Sequence, residues 1–351
     1  MHAIAGGAVS LVISCVAAGS PVPIAVGPDA FVHISGEKSP VAMLSGDQGL
    51  NPEIEKLLTR PDKPTNLWER IRLGFSIPDL DGPLVAQQAA WYAARPELVQ
   101  AIIQRARRYL HFIVAEVERR GLPTELALLP FVESGFNPMA LSSAQASGLW
   151  QFIPETGSRY KLAQNVHYDG RRDIVASTSA ALDYLQFLHD FNGRDWHRAL
   201  ASYNWGEMAV ARAVERNRAR GKPEDYDRLR LPDETRNYVP RLLAIKKIVL
   251  NPGAYGIQLA EILNEPVFEV IPIPADLDLG LAARLAQLPL NNILALNPAF
   301  NSRKASGSGD AGLVIPIEQS EIFRSNLEQH QETLANQSAA ARSRSGKQKP
   351  K

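Results

Sequence analysis

From Pro96 to Val249 apolar residues return at three- and four-residue steps, and glycines interrupt the runs. No other feature narrows the fold as much, because that period puts one apolar stripe on each helix and obliges the helices to pack on one another. The first run carries Leu98, Ile102, Ala106, Leu110, Ile113 and Val117, opens at Pro96 and stops at Gly121. A second is expected over Thr124–Ser134, with Thr124 as cap, Pro130 as a bend and Gly135 as terminator. Asp173 is expected to cap a third, carrying Ala180, Ala181, Tyr184, Leu185 and Leu188 and ending at Gly193. Trp196–Ala201 and Glu207–Arg218 read as two more. Asp233 is expected to cap the last, with Tyr238, Leu242, Ile245 and Val249 on one face. With 45% hydrophobic and 21% charged residues in 351, the chain can bury a core and build one or two domains.

The flanks follow other rules. Residues 1–18 contain a short apolar run, Ile4–Ala18, ending in small residues before Pro21. That run is too brief to span a bilayer and suits an export signal. Val12-Ile13-Ser14-Cys15 is also similar to a lipoprotein signal, so lipidation of Cys15 and cleavage near Ala18 are the two expectations. The competing reading is a small buried element with an inert cysteine. Residues 19–64 are rich in Pro, Gly, Ser and Asp and read as a linker. Residues 65–120 are expected as a helical N-terminal region and 121–255 as the main helical domain. Beyond Pro252, Phe268–Ile273 alternates as an edge strand, Leu277–Leu288 and Leu290–Leu296 suggest short helices, and Leu313–Ile317 suggests a second strand. Together these make a small unit over 267–318. Residues 335–351 are polar and basic and are expected to be disordered.

Glu133 is the one charge in Leu128-Leu129-Pro130-Phe131-Val132-Glu133-Ser134-Gly135-Phe136. Apolar walls disfavour an ionised carboxylate, and a raised pKa is what a general acid needs near neutrality. A glutamate pointing to solvent from the helix end fits this stretch equally well. Gly148-Leu149-Trp150-Gln151-Phe152 sets aromatic rings beside an amide, a pairing suited to sugars, although Trp150 and Phe152 also suit a core. Ser202-Tyr203-Asn204-Trp205-Gly206 repeats the combination.

The order Glu133-Ser134, Gly148-Leu149-Trp150-Gln151, Ser202-Tyr203-Asn204 and Tyr238 within Glu234-Thr235-Arg236-Asn237-Tyr238-Val239-Pro240 resembles the soluble lytic transglycosylase family. Within it the chain looks most like the membrane-bound lytic murein transglycosylase D group. Arg119-Arg120-Gly121-Leu122-Pro123, Tyr168-Asp169-Gly170-Arg171-Arg172-Asp173 and Ala180-Ala181-Leu182-Asp183-Tyr184-Leu185 support the likeness, which runs from about Leu67 to Tyr255. It implies a mainly α fold: a lysozyme-like helical catalytic domain with an N-terminal helical extension. It implies cleavage of the β-1,4 bond between N-acetylmuramic acid and N-acetylglucosamine in peptidoglycan, leaving 1,6-anhydromuramyl ends, with Glu133 as acid and then base. Ser134 would orient the site; Trp150, Gln151, Tyr203 and Asn204 would hold sugar or acid; Tyr238 would close the site. It also implies a periplasmic enzyme, anchored to the outer membrane if Cys15 is lipidated. Ser202, Trp205 and Met208 depart from the family's usual Ala, Ser and Gly, which bears on the cleft near Trp205. The unit at 267–318 weakly resembles a LysM wall-binding module through Asn297-Pro298 and Val314-Ile315-Pro316. Asp276-Leu277-Asp278-Leu279 stands where such modules open with Gly-Asp-Thr, so a packing role is the default expectation.

Two other functions compete: a muramidase hydrolase pairing Glu133 with Glu155, Asp169, Asp173 or Glu207 across the sugar, and a catalytically inactive peptidoglycan-binding protein. Asp173 as a cap and Asp169 as a turn residue have simpler roles. The seven histidines show no ligand spacing, so no metal or cofactor is expected. A net charge of +1 gives no ground for a nucleic-acid partner, and the arginine clusters read as solvated helix faces.

Overall fold

The computed structural model describes residues 64–80, 82–275, 277–305 and 312–345. The expectations for Cys15, the export signal and the linker up to residue 63 lie outside them. Helices dominate: α1 (Leu67–Leu73), α2 (Pro83–Ala93), α3 (Pro96–Ala106), α4 (Leu110–Arg119), α5 (Leu129–Glu133), α6 (Pro154–Arg159), α7 (Ile174–Phe191), α8 (Trp196–Trp205), α9 (Glu207–Arg218) and α10 (Asp233–Leu250). A small unit then follows in the order β1 (Phe268–Ile271), α11 (Leu279–Leu285), α12 (Leu290–Leu296) and β2 (Leu313–Pro316), and α13 (Ile317–Ser345) closes the described chain. The mainly helical class with a small α+β unit is as the sequence implied.

Local chemistry explains where the helices start and stop, and corrects several expectations. The run from Pro96 to Val117 is two helices, not one. It breaks between Ala106 and Leu110, which turns Tyr109 into the core and leaves Leu98 on the surface. Thr124 does not cap a helix. Its hydroxyl donates to Ile71 O at 2.6 Å, and Thr124–Leu128 is a 3-10 turn leading into α5. Pro130 lies in the first turn of α5, where no intrahelical N–H bond is lost, so it starts the helix rather than bending it. Asp233 likewise sits inside α10, behind Pro232, and makes no cap bond. Asp173 does cap α7, accepting from Val175 N and Ala176 N at 2.8 and 2.7 Å.

One continuous core joins the first helices to the rest. Leu67, Ile103, Val117, Leu129, Trp150, Tyr184, Tyr203 and Tyr238 all belong to it, so residues 65–120 are an integral wall and not a separate region. A second core holds the small unit together. In it β1 and β2 pair antiparallel with Phe268 opposite Pro316, and Phe323 and Leu327 of α13 supply two of the buried side chains. The unit therefore extends past the expected end at residue 318. These residues stand four apart, on one face of a helix. The expected disorder from Ala335 is also corrected: α13 continues to Ser345. Ala335, Ala339, Ala340 and Ala341 have the strongest helix preference of any residue type. The two units touch directly, through Asp169 N to Ala299 O and Asn301 N to His167 O, both 2.8 Å, and through the Tyr168 and Phe300 rings.

Candidate active site

Two helices bring the key pair together. The short α5 delivers Glu133 from its last position, and Gly135 turns the chain away at a φ of 57° that favours glycine. The opposite wall is α10, an eighteen-residue helix with Pro240 inside it. Pro240 offers no N–H to Arg236 O, and the Tyr226 hydroxyl replaces that donor at 2.9 Å. The helix thus stays continuous through Tyr238, whose hydroxyl donates to Glu133 Oε1.

Glu133 is 6% exposed, and its second oxygen, Oε2, is buried with no hydrogen-bond partner. Burial pushes its pKa up to about 8. The Tyr238 hydroxyl works the other way by stabilising the anion, Glu234 raises the value further through its charge, and Arg241 lowers it. Tyr238 itself lies well above an ordinary tyrosine, chiefly through burial and then the charge of Glu133, so it remains a donor across the working pH range. At neutral pH the pair is an acid holding a transferable proton beside a fixed phenol. Chemically, that is a general acid.

The remaining motif residues surround this pair, yet several act on backbone rather than facing a ligand. Ser134 Oγ donates to Leu149 O at 2.9 Å. Tyr203 is buried near Tyr238 and donates its hydroxyl to Trp150 O at 2.9 Å. Trp150 is 0% exposed, and its indole N–H reaches Thr178 Oγ1 at 3.0 Å. The expectation that its ring would meet sugar is corrected: it anchors the core beneath the loop. Gln151 is corrected too, because its amide nitrogen donates to Gly148 O at 2.8 Å and to Ala140 O at 3.3 Å. Gln151 also holds a φ of 51°, a conformation costly for a non-glycine residue that persists where surroundings impose it. Gly148 is obligatory, since a Cβ there would lie 1.9 Å from Arg171 O. Asn204 accepts from Thr235 Oγ1 at 2.7 Å, while its amide nitrogen is buried without a partner. Motif loops are thereby stitched to α5, α7, α8 and α10, which fixes the Glu133 carboxyl in place.

Three of the four carboxylates considered as a second catalytic group are engaged elsewhere, and the fourth, Glu155, is exposed. Glu207, fully buried, pairs with Arg159 at 3.1 Å and accepts from the Tyr184 hydroxyl at 3.1 Å. Asp169 pairs with Arg171 at 2.8 Å, Asp173 caps α7 and accepts from the Tyr168 hydroxyl, and Glu155 is exposed in the first turn of α6. Among the described residues no cluster of His, Cys, Asp and Glu could hold a metal ion.

Sequence reading missed the cleft beside the acid. A cavity of about 430 Å³ runs along Phe131, Val132, Ser134 and Gly135, and is walled by Gln88, Trp91 and Tyr92 of α2, Ile102 and Arg105 of α3, and Arg241 of α10. Trp91, 42% exposed on a helix that otherwise buries Val85, Ala89 and Tyr92, was the available signal.

Comparison with known proteins agrees with this layout. Residues 111–226 match the Transglycosylase SLT domain, and residues 267–332 match the LysM-like domain of lytic transglycosylase MltD. The chain is 35% identical over 264 residues to "Membrane-bound lytic murein transglycosylase D" of Escherichia coli (strain K12), covering 75% of this chain and 58% of that protein. It is 37% identical over 169 residues to a protein of Alteromonas sp. (strain M-1) named for tributyltin chloride resistance, covering 48% of this chain and 80% of the other. It is 30% identical over 142 residues to "Membrane-bound lytic murein transglycosylase C" of Glaesserella parasuis serovar 5 (strain SH0165), covering 36% of this chain and 38% of that protein. The chain thus spans little more than half the length of the first of these relatives.

Proposed function

Because this chain belongs to the transglycosylase SLT-domain family and carries the LysM-like domain of its MltD group, we propose that it is a peptidoglycan lytic transglycosylase. The observation that carries the reading is the buried Glu133 carboxyl, protonated at neutral pH, held on one oxygen by Tyr238 and without a hydrogen-bond partner on the other. In the proposed reaction Glu133 gives its proton to the glycosidic oxygen as the bond to C1 of N-acetylmuramic acid breaks. The substrate's acetamido carbonyl stabilises the positive charge at C1. The C6 hydroxyl then attacks C1, and its proton passes to the Glu133 carboxylate, which restores the acid. No water is consumed, and the product carries a 1,6-anhydromuramyl end. A single carboxyl serves both steps because the first leaves it as a base.

The hydrolase alternative requires a second carboxylate across the sugar, and of the four considered Glu207, Asp169 and Asp173 already have partners, which leaves the exposed Glu155. This favours the non-hydrolytic reading. Purified peptidoglycan treated with the full chain and analysed by mass spectrometry tests it. Anhydro-ended fragments are expected. New reducing ends would support a muramidase, and sacculi that are bound but release nothing would support an inactive binding protein.

The names of the two membrane-bound relatives support a periplasmic, membrane-associated placement, and the run Val12-Ile13-Ser14-Cys15 suggests lipidated Cys15 as its anchor. No helix among the described residues is long and apolar enough to cross a membrane. A Cys15→Ser change should move the protein out of the membrane fraction. The LysM-like unit, docked through Ala299 and Asn301, has a packing or positioning role against the catalytic domain.

A further inference from the structure

The cleft beside Glu133 is cationic in a way that a neutral sugar chain does not require. Arg105 on α3 and Arg241 on α10 both line it. Arg105 gives its Nε to Gly135 O at 2.7 Å, and neither guanidinium forms a salt bridge with a carboxylate among the described residues. Some other arginines likewise bind backbone carbonyls only, as Arg72 does at Val249 O and Arg107 at Glu261 O, while several are neutralised. Arg70, Arg120, Arg159, Arg171, Arg198 and Arg218 each pair with Asp or Glu. Glu133 offers no compensating charge at neutral pH, since burial keeps it protonated. Glu234, in the first turn of α10, is the acidic group whose charge reaches Glu133.

Neutral groups complete the cleft. The Trp91 indole is 42% exposed, lies 4.3 Å from the Arg95 guanidinium and lines the cleft. Gln88 is fixed by donating to Asn237 Oδ1 at 3.1 Å. Ser134 sits on the floor, one residue from the acid. Two guanidiniums in one cleft, with an aromatic plate and one fixed amide, match a carboxylate borne on an organic arm.

The glycan backbone of peptidoglycan carries no charge, but the arm on the muramic acid does. Its lactyl group is a free carboxylate where the peptide has been removed, and where the peptide is present that peptide carries carboxylates of its own. Resting on the transglycosylase reading, we infer that the cleft between α2, α3 and α10 is the subsite for this arm, and that Arg241, with Arg105, binds its carboxylate. Occupation of the cleft would set which muramic acid lies over Glu133, making the cleft a determinant of cleavage position.

The test is binding rather than turnover, so that it stands apart from the reaction. A full-length Glu133→Gln chain is titrated with three glycans of equal length: stem-bearing strands, strands stripped of peptide with free lactyl carboxylates, and a neutral chito-oligosaccharide without the arm. Adding Arg241→Gln should weaken binding of carboxylate-bearing strands by about tenfold or more, the scale of one lost charge-assisted hydrogen bond, and weaken the neutral glycan several-fold less. Arg241→Lys should recover part of the loss. A loss confined to stem-bearing strands identifies a peptide carboxylate, and a loss on stripped strands identifies the lactyl group. Equal loss on all three glycans, or no loss, overturns the inference. Salt provides a check that needs no arginine variant: binding of the charged strands should fall more steeply with ionic strength than binding of the neutral glycan. Equal slopes would also overturn it. Failure of the Glu133→Gln chain to bind any glycan contradicts the transglycosylase reading itself, and this inference with it.

Discussion

Glu125 and Glu133 lie two turns apart in one apolar segment, and both carboxyls are buried, yet they have been given opposite tasks. Glu125 is fully satisfied: Ser76 N and Ile77 N donate to it at 3.0 and 2.8 Å, and Lys246 pairs with it at 3.2 Å. Glu133 meets one phenol, and its other oxygen has no partner. What separates a structural carboxylate from a proton carrier here is the number of donors around it, not burial. A buried anion needs compensation, whereas a buried acid can do without, provided it keeps its proton.

Substitution should split the two sites sharply. Glu133→Gln keeps the shape and removes the transferable proton, so turnover of peptidoglycan should fall by roughly 10²–10⁴-fold while thermal stability at neutral pH rises rather than falls. Near-normal turnover in that variant would erase the distinction. At the other site the loss should appear in stability. Lys246→Met leaves Glu125 buried and unpaired and should lower unfolding stability by about 3 kcal/mol in denaturant titration, with the activity of the folded fraction retained. Tyr238→Phe should have a smaller effect. Removing the one donor that favours the Glu133 anion raises its pKa further, so the alkaline limb of the kcat/KM profile should move up by about one pH unit. A downward shift would assign Tyr238 the opposite role. Trp150→Phe should cost activity least. It removes the bond to Thr178 and leaves a void in the core, together about 2–3 kcal/mol of stability, and should leave KM near its original value, because the ring does not face the cleft.

The same contrast shows how far the sequence could be read. Helical periodicity located most of the helices, and apolar surroundings picked out Glu133, because both signals are local. Asp173 announced its cap, since a short acidic side chain before an apolar run has few other uses. Trp150 and Gln151 were misread because residue type does not say whether a ring or amide turns toward a cleft or into the core beneath it. Glu125 drew no attention, as its partners come from Ser76, Ile77 and Lys246, remote in sequence. The cleft of Trp91, Arg105 and Arg241 was missed for the same reason: it exists only where three helices meet.

Raised proton affinity also leaves a thermodynamic trace. A carboxyl whose folded pKa lies above its unfolded value costs nothing below the unfolded value. It destabilises the fold increasingly as pH climbs from about 4.5 toward 8, by up to about 1.4 kcal/mol per pH unit. The wild-type chain should lose stability relative to Glu133→Gln across that window.

Most direct is a titration of the Glu133 carboxyl itself, by carbon-13 NMR of side-chain-labelled protein, with Glu133→Gln identifying the resonance. A midpoint near 8 is expected, with protonation retained at neutral pH. A midpoint near 4.5, the ordinary glutamate value, would mean that the carboxyl is ionised before any substrate arrives, and would contradict its role as the acid.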